Sequence, residues 1–290
     1  MSGFGTVLGI GLNELAPNVP RALLESAARL GVNTREIDLA SLCVDLESQV
    51  VSDCHGIVAV SHLSPALFYW ADAALDAYTL LEQLGAKTLN TIASVELADD
   101  KARTALRLRQ AAVPQLRTII VEQSTNQVRL ACDLMGYPCV LKRTHGGQGR
   151  WVRKIENPDD LPSAIQEFSD EGPSAVVVQE IASDFIGRSI RVLVLGGEVV
   201  AAALRIGAPG SFVSNISSGG SQEIIELTET EKSISIAAAK SLGLGFAGVD
   251  VTRHRDLPFV LEVNACPDFT SMIPLLGDSF VDDLITLTVS

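Results

Sequence analysis

The sequence predicts an α/β layer at the N-terminus followed by α+β units, on three observations. Strand and helix patterns alternate over the first 90 residues, later strands pair through short polar or glycine-rich turns, and one late hairpin carries acids on a single face. With 290 residues, 47% of them hydrophobic, the chain can bury a large core and divide into two or three subdomains.

Residues 6–12 read as an apolar strand. A helix begins near Asn18, with Leu23, Leu24, Ala27 and Leu30 at helical spacing, and stops at Gly31. Residues 34–39 and 56–60 read as the second and third strands, 65–84 as a helix stopped by Gly85, and 87–89 as a short further strand. Such alternation favours a parallel sheet with ligands near strand C-termini. No GxGxxG is present, so the layer is not expected to bind NAD.

Residues 94–112 are predicted as one helix, acidic at first (Glu96, Asp99, Asp100) and basic later (Arg103, Arg107, Arg109), which matches the helix dipole. Lys101 sits between the two blocks. A strand at 115–121, a helix at 126–135 and a strand at 139–142 follow. The last opens into Arg143-Thr144-His145-Gly146-Gly147-Gln148-Gly149-Arg150. Glycines there let backbone N–H groups approach phosphates, and Lys142 could add a point charge. The loop lacks GxxxxGK[ST] and leads to a strand at 151–155, so a flexible hairpin connection explains it about as well.

After a helix at 159–168, the apolar run 175–178 ends in Gln179-Glu180-Ile181, a buried strand emptying into a hinge of the kind adenine favours. A hairpin at 190–195 and 198–206, turning at Gly196-Gly197, carries Arg191 and Arg205. Ser214-Asn215 and Gly219-Gly220 come next, then helices at 228–242 and 279–288 that flank the acidic hairpin. Linkers near Thr91 and Ser183 divide the chain into 1–90, 91–182 and 183–290.

In that hairpin Val249, Val251, Val260, Leu261 and Val263 mark two strands around a polar turn, His254 to Pro258. A turn centred on Asp256 sets Asp250 opposite Glu262. Alternation then puts Asp250, Glu262 and Asn264 on one face and Val249, Val251, Leu261 and Val263 on the core face. Two carboxylates about 5 Å apart repel by roughly 3 kcal/mol at an effective dielectric near 20, which protonation, a basic partner or a cation removes. Oxygen ligands without His or Cys select a hard ion such as Mg²⁺, whose expected companion is a nucleotide triphosphate. A solvated hairpin is the bland alternative.

A net charge of -13 disfavours tracking along nucleic acid. Against it, Lys101, Lys142, Arg143, Arg150, Arg188, Arg191 and Arg205 form a local basic set. The five cysteines, Cys43, Cys54, Cys132, Cys139 and Cys266, show no metal-ligand spacing, and free thiols fit a reducing cytoplasm. Cys266 has no base placed beside it and reads as a buried structural thiol. No charged leader and no apolar run of spanning length is present, so neither export nor membrane insertion is expected.

The ordered set Lys101, Lys142, HGGQG, VVVQEI, IRVLVLGGEVVAAALR, SN with GG, AGVDV and LEVNACP resembles the ATP-grasp superfamily, and within it the RimK-like carboxylate-amine ligases, over roughly residues 88–275. The resemblance implies an ATP-grasp fold preceded by a Rossmann-like (pre-ATP-grasp) α/β layer. It implies ATP with Lys101 and Lys142 on its phosphates, Gly146, Gly147, Gln148 and Gly149 closing over them, and Gln179, Glu180 and Ile181 meeting adenine. Asp250, Glu262 and Asn264 would hold Mg²⁺, with Mn²⁺ as a substitute and two ions in the site. The family phosphorylates a carboxylate, and an amine attacks the acylphosphate to form an amide. Arg205 and Asn215 are the candidates for the oxyanion clamp, with Arg191 third, because a sheet arginine paired to an acid is an equal reading.

The resemblance also implies an amino acid as amine, a peptide, protein tail or small molecule as carboxylate, and a homo-oligomer. Ser189 stands where such ligases usually carry an acid that reaches the nucleotide. Val213 to Gly220 lacks the basic residues that usually flank SN, which weakens specificity for glutamate. His145 and Arg150-Trp151 are unusual loop residues. A phosphotransferase and a non-catalytic nucleotide-binding regulator are the alternative functions.

Overall fold

The structure, a computed structural model, describes residues 7–11, 18–38, 41–58, 73–146, 151–170, 172, 174–214, 219–277 and 279–289. The chain forms two compact units. One comprises Met1–Val95, Gly243–Phe246 and Cys266–Ser290, the other Glu96–Leu242 and Ala247–Ala265.

In the first unit, β1 (Leu8–Gly11), α1 (Asn18–Leu30) and β2 (Thr34–Ile37) form a strand–helix–strand crossover with the strands parallel. Leu23 and Ala27 are buried as their spacing requires, whereas Leu30 is exposed. The sheet β3 (Cys43–Asp45), β4 (Val50–Asp53) and β5 (Gly56–Val58) is antiparallel. The third expected strand therefore exists over 56–58, but among the described residues it pairs with β4 and not with the parallel pair. Asp53 turns the chain there, accepting the His55 backbone N–H at 2.9 Å and Arg35 at 2.7 Å.

After α2 (Ala73–Gln83) no strand forms at 87–89. Side-chain hydrogen bonds tie this segment to its neighbours. Thr88 donates to Glu82, Glu82 accepts the Ile92 N–H, and the Asn90 amide spans both backbone groups of Phe246. The single helix expected over 94–112 is two, α3 (Ile92–Asp99) and α4 (Lys101–Gln110). Asp100 has extended backbone angles and caps α4, accepting the N–H groups of Ala102 and Arg103.

The second unit holds two sheets. β6 (Thr118–Glu122), β7 (Cys139–Arg143), β8 (Val152–Ile155) and β9 (Ala175–Glu180) run antiparallel in the order β6-β9-β7-β8. One face packs Leu141, Ile155 and Val178 against Val128 and Cys132 of α5 (Thr125–Met135) and Phe168 of α6 (Leu161–Ser169). By alternation Val140, Lys142, Val177 and Gln179 share the other face.

β10 (Arg188–Leu195), β11 (Glu198–Ile206), β12 (Ser221–Ile224), β13 (Phe246–His254) and β14 (Leu257–Asn264) form the second sheet in the order β12-β11-β10-β13-β14. α7 (Glu229–Ser241), started by the Thr228–Glu231 capping box, packs on it. β12 is a polar edge strand that the sequence did not announce.

The chain returns to the first unit with α8 (Ile273–Leu276) and α9 (Ser279–Val289). Asp282 of α9 accepts Ser26 at 2.5 Å and Arg29 at 2.8 Å from α1, and Phe246, Phe269 and Phe280 pack edge to face. No helix among the described residues is long and apolar enough to cross a membrane.

Candidate functional site

In the second unit both sheets contribute to one cavity, about 950 Å³ of atom-free space including its open mouth. The polar groups that line it include Lys101, Lys142, Gln179, Ser189, Asp250 and Glu262. Glu180, Ile181 and Gly146 line it too. Arg191, Arg205 and Asn264 do not.

The acidic wall is set by the β13–β14 hairpin. Asp250 pairs with Glu262 and Gly248 with Asn264, as the sequence predicts. The route to that register differs from the prediction. The turn is the two-residue Arg255-Asp256, and a bulge between Asp250 and Val251 inserts Leu261 as the extra residue on β14. Val249, Val251 and Val263 are buried as expected, but the bulge exchanges the next two residues: Val260, which strict alternation would put on the acidic face, is buried, and Leu261 leaves the core face for the cavity wall.

Both acids have cationic partners. Arg191 on β10 grips Asp250 with a fork, Nε to Oδ1 at 2.6 Å and Nη2 to Oδ2 at 2.8 Å. Burial raises the Asp250 pKa, but Arg191, with Arg205 and Lys142 behind it, outweighs burial and holds the carboxyl below its usual range. Lys101 Nζ lies 3.3 Å from Glu262 Oε1. The repulsion that pointed to a cation is thus already relieved by side chains. The donor set still fits a hard ion: Glu262 and the Asn264 amide supply oxygens, and each Asp250 oxygen keeps a second lone pair. Asn264 directs its Nδ2 to the Gly248 carbonyl at 3.2 Å, which fixes the amide. Among the described residues no three acids, histidines or cysteines converge as a protein-only cage.

The basic wall comes from β7 and from the start of α4. Lys142 Nζ donates to Gln179 Oε1 at 2.7 Å, and Gln179 Nε2 to Thr118 at 3.3 Å, so the Gln179 carbonyl is aimed at the lysine. Burial pushes the Lys142 ammonium below its ordinary range. Lys101 adds to the shift, while Glu262 and Asp250 oppose it. An anion in the cavity would oppose that shift. The helix break at Asp100 places Lys101 first in α4, where its backbone N–H meets the Thr144 carbonyl at 2.9 Å and its Nζ meets the Gly146 carbonyl at 2.6 Å. Gly146 has φ +115° and a Cβ there would lie 2.7 Å from the Trp151 ring, so only glycine fits. Trp151 packs on Phe168 and under Arg143, and His145 is exposed, so neither unusual loop residue lines the cavity.

Gly147, Gln148, Gly149, Arg150 and Asn215 lie outside the described residues. Ser189 is buried and shares a 2.5 Å hydrogen bond with Ser214. Arg205 pairs with Ser189 across β10–β11, which puts it on the same sheet face as Arg191. Sequence reasoning missed Leu261, Thr252, Phe185 and Phe212 on the wall. Phe212 arrives because the segment after β11 folds back onto Gly187 and Gly207; a Cβ on Gly207 would sit 2.1 Å from the Val213 carbonyl oxygen. The Gly207-Ala208-Pro209-Gly210 run was the available signal.

Two sheets clasp this cavity, with Lys142 of β7 and Lys101 at the start of α4 on one side and Asp250 and Glu262 of the β13–β14 hairpin on the other, a cleft of the kind a nucleotide-dependent ligase needs. The chain belongs to the RimK-like ATP-grasp domain family, which matches residues 98–285. It is a carbon–nitrogen ligase of a family that uses ATP and Mg²⁺. It is 34% identical over 233 residues to a probable alpha-L-glutamate ligase of Enterobacter sp. strain 638, covering 80% of this chain and 76% of that one. It is 32% identical to a probable alpha-L-glutamate ligase of Klebsiella pneumoniae strain 342, over 91% and 89%. In fold it matches the ATP-grasp ligase PsnB, solved with a precursor variant, Mg and ADP, with TM-score 0.72 at 18% identity over 99% of both chains.

Proposed function

We propose that the chain joins an amino acid, glutamate being the first to test, to a carboxylate of a peptide, protein tail or small cofactor-like molecule. The γ-phosphoryl of ATP passes to the carboxylate, ADP leaves, the amine attacks the acylphosphate carbon, and phosphate departs as the amide forms. The observation that carries the reading is the meeting of Lys101 and Lys142 with Asp250 and Glu262 in one cavity. The names of the relatives support glutamate. Val213, where a basic residue is usual, argues for a different or broader amine.

In this reading Lys101 and Lys142 neutralise the phosphates and Gly146, Gly147, Gln148 and Gly149 cover them. Gln179, Glu180 and Ile181 meet the base, with Leu261 as an apolar wall, and Ser189 edges the ribose. Arg205 and Asn215 steady the oxyanion as the amine adds. Arg191 acts as the positioning partner of Asp250, because its fork is committed to that carboxylate. Glu262, Asn264 and Asp250 would hold Mg²⁺, or Mn²⁺ in its place, as two ions that neutralise charge during phosphoryl transfer. The sheet within 91–182 and the sheet within 183–290 form the clasp, and the proposal extends to a homo-oligomer in a reducing cytoplasm.

The test is ADP release screened over amino acids and candidate acids, with mass analysis of the product. Release that requires both substrates, with a product equal to their sum less water, is expected. A phosphorylated product formed without amine would make the protein a phosphotransferase, and nucleotide binding without turnover would make it a regulator.

A further inference from the structure

His254 closes β13 on the same side as Asp250 and Thr252, and only 8% of it is exposed. Neither ring nitrogen has a hydrogen-bond partner. Two carboxylates stand just beyond reach: Glu180 Oε1 at 3.6 Å from Nε2, and Asp184 Oδ2 at 4.0 Å from Nδ1. Each is roughly 0.6 Å or more beyond a normal hydrogen bond of about 3.0 Å. Glu180 ends β9 in one sheet, Asp184 lies in the Ser183–Phe185 turn that leads to the other, and His254 belongs to that other sheet. Two arginines stand nearby: the charge of Arg255 acts on Asp184, and that of Arg253 is taken by Glu231. Arg255 gives its backbone N–H to Asp184 at 2.7 Å, and Arg253 bonds Glu231 at 2.8 Å while lying over Phe185. The Phe259 ring packs beside the imidazole.

We propose that His254 is a positioning residue for the nucleotide: when protonated, its ring draws in Glu180 and Asp184 and fixes the segment joining the two sheets, and when neutral it releases them. The inference rests on the proposed placement of the base at Gln179 to Ile181. Buried polar atoms without partners are costly, so the ring nitrogens favour the state in which both carboxylates close on them. Glu180 also lines the cavity, where its charge opposes an anionic ligand. An imidazolium beside it cancels that charge, and histidine changes charge between about pH 5 and 8. ATP therefore binds more tightly to the protonated form.

The experiment is equilibrium titration of the full chain with ATP and excess Mg²⁺ from pH 5.5 to 8.5, on wild type, His254→Gln, Glu180→Gln and Lys142→Ala. Titration of ATP itself is common to wild type and His254→Gln, so the ratio of their affinities isolates the ring. That ratio should approach one at pH 8.5 and favour wild type by roughly threefold to tenfold at pH 5.5. Glu180→Gln, with the ring intact, should lose the same pH dependence, and KM for ATP should follow it while kcat does not. A ratio that stays flat while binding still depends on Lys142 overturns the role of His254 alone. No ATP binding, or binding indifferent to Lys142→Ala, overturns the nucleotide reading and this inference with it.

Discussion

Asp250 and Glu262 oppose each other across one hairpin and line one cavity, yet they are held in opposite ways. The Asp250 side chain is 14% exposed and forked by Arg191, whereas Glu262 is 35% exposed and touches a single flexible lysine at 3.3 Å. A buried bidentate pair costs much to break, and a half-exposed contact costs little to exchange. Two acids in equivalent register thus divide the work. Asp250 anchors β13 to β10, and Glu262 remains available to trade Lys101 for a ligand.

Glu262→Gln should produce the largest effect. Turnover measured by ADP release should fall by about 100-fold or more, since charge stabilisation of a transferring phosphoryl is lost. Its unfolding free energy should change by less than about 1 kcal/mol, as for other partly exposed pairs. Retained turnover, or a large loss of stability, would erase the distinction between the two acids. Arg191→Leu should do the reverse, costing about 3–5 kcal/mol in urea unfolding because Asp250 is left charged and unpaired. Adding Asp250→Leu to it should recover most of that loss without restoring activity, which separates the anchoring role from the chemistry.

The pairing of these acids was legible in the sequence, although the turn centre was not. The notion of a turn centred on Asp256 and the actual turn at Arg255-Asp256 differ by half a residue, and the Leu261 bulge absorbs the difference. A bulge leaves no mark in a continuous apolar run such as Phe259-Val260-Leu261, so the placement of Leu261 could not be read. Asp100 was misread for a related reason: Glu96 to Arg109 fits the dipole of one helix, and the capping preference of Asp100 was the overlooked clue. Lys101 and Lys142 were legible, but the Gln179 carbonyl that orients Lys142 was not. β3, β4 and β12 are short and partly polar, and periodicity needs more residues than they offer. The approach of His254 to Glu180 joins two sheets, a relation that local pattern does not encode.

Acid titration tests the anchor at smaller scale. The folded pKa of Asp250 lies below its unfolded value, so its contribution is complete above about pH 4, the ordinary aspartate range, and is lost as pH falls through the folded value. Wild type should therefore lose stability more steeply than Asp250→Asn below about pH 4, with the two curves parallel from about pH 5 to 7. Parallel curves throughout would mean that Arg191 holds Asp250 no more firmly than solvent does.

The smallest effect should come from the turn itself. Arg255 and Asp256 have φ +51° and +61°, a left-handed pair in which side chains other than Gly and Asn are disfavoured. Asp256→Gly relieves one of these positions and should stabilise the protein by roughly 0.5–1 kcal/mol, read as a higher urea midpoint with an unchanged slope. Turnover should not change, because the bulge lies between the turn and the acids and the ladder resumes beyond it. If Asp256→Gly instead lowers turnover, the strain of the turn is transmitted past Leu261, and the facing of Asp250 and Glu262 is set by the turn and not by the bulge.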